Sequence, residues 1–153
     1  MAEKSKIEWT DSSWNPTTGC TKVSEGCRNC YAEKLALRLQ KMGSKRYRNG
    51  FNLTLHEDAL TLPLKWKDSK KIFVDSMSDL FHKDVPFEFI DKVWGVMLQA
   101  DWHIYQILTK RPERMKEYIE RRWSNRLGNT SKHIWLGTSV EDSRVKNRID
   151  ILR

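Results

Sequence analysis

The chain has 153 residues, 39% of them apolar and 10% aromatic, with a net charge of +8. That is one domain's worth of chain, with enough apolar surface for a core, and it points to a folded globular protein rather than a disordered one. No run reaches the roughly 18 apolar residues of a membrane helix, and residues 1–6 carry no leader-like apolar stretch, so no membrane partner and a cytoplasmic location are expected. The charge is uneven. Residues 1–50 carry ten Lys/Arg against five Asp/Glu, residues 110–153 carry twelve against six, and residues 51–109 carry six against nine. Two basic flanks around an acidic centre make nucleic acid a candidate partner.

Along the chain, short β-type runs alternate with amphipathic helices. Residues 6–10 alternate apolar and polar as a strand would. A loop rich in Asn, Pro, Thr and Gly follows. Ala32, Leu35, Ala36 and Leu39 then recur at helical spacing up to Gly43. Residues 41–57 form an excursion with a short strand expected over 51–55. Residues 72–76 read as a buried strand, and Pro86 opens a helix striped by Phe87, Ile90, Trp94 and Met97. A third strand is expected over 103–108. Pro112 starts another helix, with Met115, Tyr118 and Ile119 on one face. A fourth strand covers 134–138, and Val145, Ile149 and Leu152 stripe the last helix. Four successive βα units predict an α/β fold with a parallel sheet.

The only three cysteines fall within eleven residues, as Cys20-x6-Cys27-x2-Cys30. An odd, clustered set is not a disulfide framework. Thiolates suit zinc or an iron–sulfur cluster, and three from one loop leave the fourth position to be filled from elsewhere. For zinc, the candidates for that position are His56, His82, His103 and His133. His103 and His133 begin predicted strands, at the far end from the cysteines, which leaves His82 on the same rim. For a [4Fe–4S] cluster, the fourth iron would stay open. Polar residues gather at the other predicted strand ends: Ser76, Ser78 and Asp79; Thr109, Lys110 and Arg111; Thr138, Ser139 and Glu141. In parallel α/β folds that rim is where ligands bind.

Four segments carry a resemblance: Trp14-Asn15-Pro16-Thr17-Thr18-Gly19-Cys20, Gly26-Cys27-Arg28-Asn29-Cys30-Tyr31-Ala32, Ser76-Met77-Ser78-Asp79-Leu80-Phe81-His82 and Leu136-Gly137-Thr138-Ser139-Val140-Glu141. Together they resemble a family of phage- and prophage-encoded three-cysteine proteins of unassigned function, placed near radical S-adenosylmethionine (SAM) enzymes. The resemblance implies a single domain over residues 1–153, a partial TIM-type barrel of about four βα units against six in a radical SAM core. It also implies a missing C-terminal segment or an oligomer that completes the barrel. Cys20, Cys27 and Cys30 would then hold a [4Fe–4S] cluster whose free iron binds SAM. Reductive cleavage of SAM would give a 5′-deoxyadenosyl radical acting on an unidentified substrate in a bacterial host. Ser76, Ser78 and Asp79 would receive the SAM amino group, with Asp79 foremost. Lys110 or Arg111, Arg111 preferred, would pair with its carboxylate. Thr138, Ser139 and Glu141 would meet ribose or adenine, and Trp9, Trp14 and Asn15 would wall the cluster. Two features depart from the usual radical SAM motif: Cys-x6-Cys replaces Cys-x3-Cys, and Asn29 precedes the last cysteine where an aromatic residue is usual.

The alternative is a zinc- or cluster-stabilised nucleic-acid-binding protein without enzymatic activity, with Lys45-Arg46-Tyr47-Arg48 and Arg121-Arg122-Trp123 as its basic, aromatic patches. Nucleotide-binding glycine loops, a nucleophile elbow and a zinc-deaminase signature are all missing from the sequence.

Overall fold

The computed structural model describes residues 5, 7–123 and 131–153. The leader-free reading of residues 1–6 falls largely outside them. The described residues form six strands: β1 (Ser12–Trp14), β2 (Thr17–Thr18), β3 (Thr54–Leu55), β4 (Lys71–Val74), β5 (Ile104–Thr109) and β6 (Ile134–Thr138). The helices are α1 (Tyr31–Lys41), α2 (Phe87–Gln99), α3 (Pro112–Trp123) and α4 (Asn147–Leu152). β1, β4, β5 and β6 form one parallel sheet in chain order, and β2 pairs antiparallel with β3 as a short ribbon. The mixed α/β class and the four-stranded parallel sheet are as expected. Among the described residues the sheet does not close into a barrel. No described helix is long and apolar enough to cross a membrane.

One face of the sheet is buried. Ile72 and Val74 of β4 and Tyr105 and Ile107 of β5 pack against Ile90, Trp94 and Met97 of α2 and against Met115 and Tyr118 of α3. Period-two alternation on the strands meets 3.6-residue stripes on the helices, which is what Pro86 and Pro112 announce. A ring cluster sits at the centre: Trp94 lies 5.5 Å from Tyr118 and 5.8 Å from Trp123. A smaller cluster beneath α1 joins Ala32, Ala36, Tyr47 and Met77, with Cys30, Leu39 and Phe51 packed on it.

Four expectations need correction. The first strand is Ser12–Trp14, not residues 6–10. Lys6 lies outside the described residues, and Thr10 N donates to Ile7 O at 3.2 Å, closing a turn. Trp14 is fully buried and donates its indole N–H to Ala59 O, so burial of that side chain, rather than the weaker alternation before it, decides the register. The strand expected over 51–55 shrinks to Thr54–Leu55, because only those residues find a partner strand. Leu35 is exposed, since α1 turns its two small residues inward and rests on a shallow cluster. Ile149 and Leu152 are also exposed, because α4 is a short helix packed mainly against α3 and β6.

Trp94 is buried with its indole nitrogen unpartnered. Trp94→Ala is expected to cost about 3–5 kcal/mol, the usual range for a lost core aromatic. Trp94→Phe should cost far less, because it keeps most of the packing and removes an unsatisfied donor. Urea unfolding of both variants checks the order.

Candidate functional site

The thiol loop leaves the β2 end of the ribbon at Gly19. That residue has φ +82°, and a Cβ there would stand 2.2 Å from Asn52 O, so only glycine lets the backbone pass. Gly19 N donates to Met77 O at 3.0 Å, Ser78 Oγ donates to Gly19 O at 2.6 Å, and Cys20 N donates to Phe51 O at 3.2 Å. Cys27 closes a 3-10 turn, and Cys30 caps the start of α1. All three cysteines are free and half-buried.

A buried ion pair holds this loop against the sheet. Asp79, beyond β4, accepts from Thr109 Oγ1 (2.7 Å) and Phe81 N (3.0 Å) on one oxygen. The other oxygen accepts from Lys110 N (3.1 Å) and Arg111 Nη1 (2.9 Å). All four acceptor positions of the carboxylate are filled. Arg111 Nη1 also reaches Cys20 Sγ at 3.5 Å, and Nη2 donates to Thr21 O (2.9 Å) and Thr21 Oγ1 (3.1 Å). His82 supports the same threonine. Asp84 N donates to His82 Nδ1, so the ring proton sits on Nε2 and is given to Thr21 Oγ1 at 2.8 Å. Burial, then Arg111, keeps this imidazole below its ordinary pKa and therefore neutral.

A second dock lies beyond β6. Glu141 Oε1 accepts from Ser24 Oγ at 3.0 Å and lies 3.5 Å from Lys110 Nζ, while Oε2 accepts from Arg148 Nη1 at 2.9 Å. Its side chain lies over Gly26, where a Cβ would come within 2.2 Å of Cγ. A side chain at that point would have to push the Glu141 arm aside.

The thiols face a cavity of about 500 Å³ lined also by Trp9, Asp75 and Lys110. Burial pushes the Cys20 thiol up against the opposing pull of Arg111. At Cys27 burial acts the same way, but backbone hydrogen bonds at Val23 and Ser24, with Lys110 nearby, win and draw the thiol below its ordinary value. Asp75 follows β4 in the left-handed region, at φ 57°, a conformation that costs a non-glycine residue on the order of 1 kcal/mol or more. Its carboxyl is buried and accepts from Thr17 N and Thr17 Oγ1, both at 2.9 Å. Burial above all raises its pKa to about 7, against those two hydrogen bonds.

The family model for DUF5131, a protein of unknown function, matches residues 4–153. The chain belongs to that family. No curated protein and no solved structure matches it.

In this DUF5131 member the structure gathers most of the expected residues on one rim but redistributes their work. Asp79, expected to receive an ammonium group, has no acceptor position left. Arg111, expected to meet a carboxylate, already gives four N–H groups to Asp79, Cys20 and Thr21. Lys110 lines the cavity, and among the described residues its ammonium contacts only Glu141, which leaves donors to spare. Ser76 Oγ donates to the Asn15 side chain at Oδ1 (3.0 Å), and Thr138 Oγ1 braces the backbone by donating to Thr109 O at 3.0 Å. Ser76, Ser78 and Ser139 line the cavity. Trp9 walls it, whereas Trp14 lies in the core. Among the described residues, no three His, Cys, Asp or Glu side chains are gathered closely enough to hold a single metal ion. His56, His103 and His133 bond to Thr18, Pro63 and Met97 respectively. Asp75 was missed, although an acid ending the apolar run Ile72-Phe73-Val74 is a readable signal.

Asp75 should leave a pH signature. Its folded-state pKa of about 7 exceeds the roughly 3.9 of an unfolded aspartate, so between those values the folded chain binds more protons. Its contribution is complete below about pH 4 and is lost as pH rises through 7. Asp75→Asn keeps the shape, tolerates the left-handed backbone and can give its amide to Thr17 Oγ1. The parent's stability is expected to fall relative to the variant across that window, leaving the variant ahead at pH 8 by on the order of 1–3 kcal/mol. Denaturant titrations of both chains at pH 4, 6 and 8 measure the difference, and equal pH dependence would refute it.

Proposed function

We propose that this chain is a radical SAM-like iron–sulfur protein of phage or prophage origin, working in the bacterial cytoplasm on a substrate bound beside the thiols. The observation that carries the reading is the convergence of three free thiols on one cavity of about 500 Å³, at the C-terminal rim of a parallel sheet. Three thiolates from one loop are a soft donor set that suits an iron–sulfur cluster, and a cubane binds each of them through a different iron. The chain-order sheet, β1-β4-β5-β6, is also how a segment of a βα barrel is laid down, and it supports the partial-barrel reading.

In this reading Cys20, Cys27 and Cys30 ligate as thiolates, and Arg111 stabilises the charge on Cys20. When bound, a [4Fe–4S] cluster with one open iron supplies an electron to a coordinated sulfonium cofactor such as SAM. Lys110, which lines the cavity, would receive the cofactor carboxylate, and Ser78 and Ser139 would offer polar lining. Trp9 and Leu108 give the cavity an apolar wall, and Asp75 holds an exchangeable proton at its lining near neutral pH.

Anaerobic reconstitution with iron and sulfide, followed by electron paramagnetic resonance, tests this. A reduced [4Fe–4S] signal that changes on adding SAM is the expected result. One zinc per chain with no cluster would overturn it.

A second reading, nucleic-acid binding without catalysis, draws on a different cavity of about 480 Å³ lined by Lys45, Arg46, Arg48 and His56. Arg46 Nε is buried there without a partner. Contacts to phosphates would make DNA affinity fall about tenfold or more between 50 and 200 mM salt. Fluorescence anisotropy across that range decides, and salt-independent or absent binding removes the reading.

A further inference from the structure

The thiol cavity has a neighbour of about 320 Å³ that the cluster chemistry leaves unused. The two share Trp9 and Leu108. The second cavity lies on the sheet face opposite the core. Along β5, Gln106 and Leu108 alternate with the buried Tyr105 and Ile107, and on β6 Trp135 stands out beside them. Trp135 is 51% exposed and Trp9 is 43% exposed, large apolar areas to leave in water. Trp9 is set by a tilted ring contact with Phe73 at 4.7 Å, and Trp135 by a hydrogen bond from its Nε1 to Lys132 O. At the floor, Gln106 Oε1 is buried with no hydrogen-bond partner. Gly137 keeps the floor flat, because a Cβ there would stand 2.8 Å from Leu108 Cδ2 and drive that side chain aside.

These features specify a ligand. Flat indole walls favour a planar ring over an aliphatic chain. A buried acceptor without a donor costs free energy until an N–H reaches it. An anion would bring another acceptor, so the pair of indoles and the carboxamide together call for a ring carrying its own donor. We propose that this cavity is the substrate subsite for an amine-bearing nucleobase, whose ring packs on Trp9 and Trp135 while its exocyclic N–H donates to Gln106 Oε1. The net charge of +8 favours a nucleotide or a single strand as the source of that base. The proposal adds a substrate class to the radical SAM reading but does not need the cluster, so the two can fail separately.

The test uses the iron-free full chain. Titration calorimetry with adenosine, cytidine, inosine and uridine 5′-monophosphates should show the two amine-bearing bases binding at least tenfold tighter. Trp135→Ala, at an exposed position that spares the core, should weaken them tenfold or more. Gln106→Met, close in volume but lacking the acceptor, should erase the preference of adenosine over inosine while leaving stacking in place. A parallel titration with a single-stranded oligonucleotide separates the sources: binding that exceeds the mononucleotide and falls with salt assigns a strand, and equal binding assigns the free nucleotide. Four results would overturn the proposal. They are no amine preference, affinities unchanged in both variants, displacement of the base by SAM (which makes this the cofactor's own adenine site), and a dimer in sedimentation that Trp135→Ala dissolves.

Discussion

The ion pair between Asp79 and Arg111 is the contact on which the rim of this protein hangs. Both side chains are nearly buried, at 8% and 11% exposure, where an incompletely partnered charge would be costly. The structure answers by filling every acceptor position of the carboxylate and all four N–H groups on the two terminal nitrogens of Arg111. The donors to Asp79 come from the β4 loop, from the end of β5 and from the start of the segment into α3. Those to Thr21 and Cys20 carry the pair's rigidity into the thiol loop. Because the network satisfies itself, the loop is positioned before anything binds, which is the condition for a site that pays little to organise itself on binding.

The sheet provides the second constraint. Helices α2 and α3 cover one face and build the core there, while the opposite face keeps Trp9, Gln106, Leu108 and Trp135 accessible around a cavity. Both cavities therefore open along the same side and share a wall. Asp75 lines the thiol cavity from a strained backbone, turned back onto Thr17 at the start of the ribbon. The strain has a structural use. A residue in the ordinary β region would carry the strand straight on, whereas the left-handed turn redirects the chain into the loop that presents Asp79.

Elements with strong periodicity were legible in the sequence. Pro86 and Pro112 mark helices that begin at Phe87 and at Pro112, and the apolar run at 134–138 is β6. The first strand was misplaced because alternation over five residues is a weak signal beside the burial of one tryptophan, and burial is a tertiary fact. The rim itself was legible, since polar residues at four strand ends converge as expected. The division of labour within it was not. A sequence shows that Asp79, Lys110 and Arg111 are charged and close in topology, but not which charge is consumed by which. Arg111 and Lys110 both line the cavity, but the Arg111 terminal nitrogens are taken up by Asp79, Cys20 and Thr21, whereas the Lys110 ammonium meets Glu141.

The unusual Cys-x6-Cys spacing acquires a reason from the same contacts. Three residues between Cys20 and Cys27 dock the loop. Thr21 takes hydrogen bonds from Arg111 and His82, Ser24 donates to Glu141, and Gly26 makes room for the Glu141 side chain. The first dock ties the loop to β4 and β5, and the second ties it to the segment after β6. Both docks fall within the stretch between Cys20 and Cys27, and the three thiols line a cavity whose wall includes Trp9 and Leu108 from the open face of the sheet.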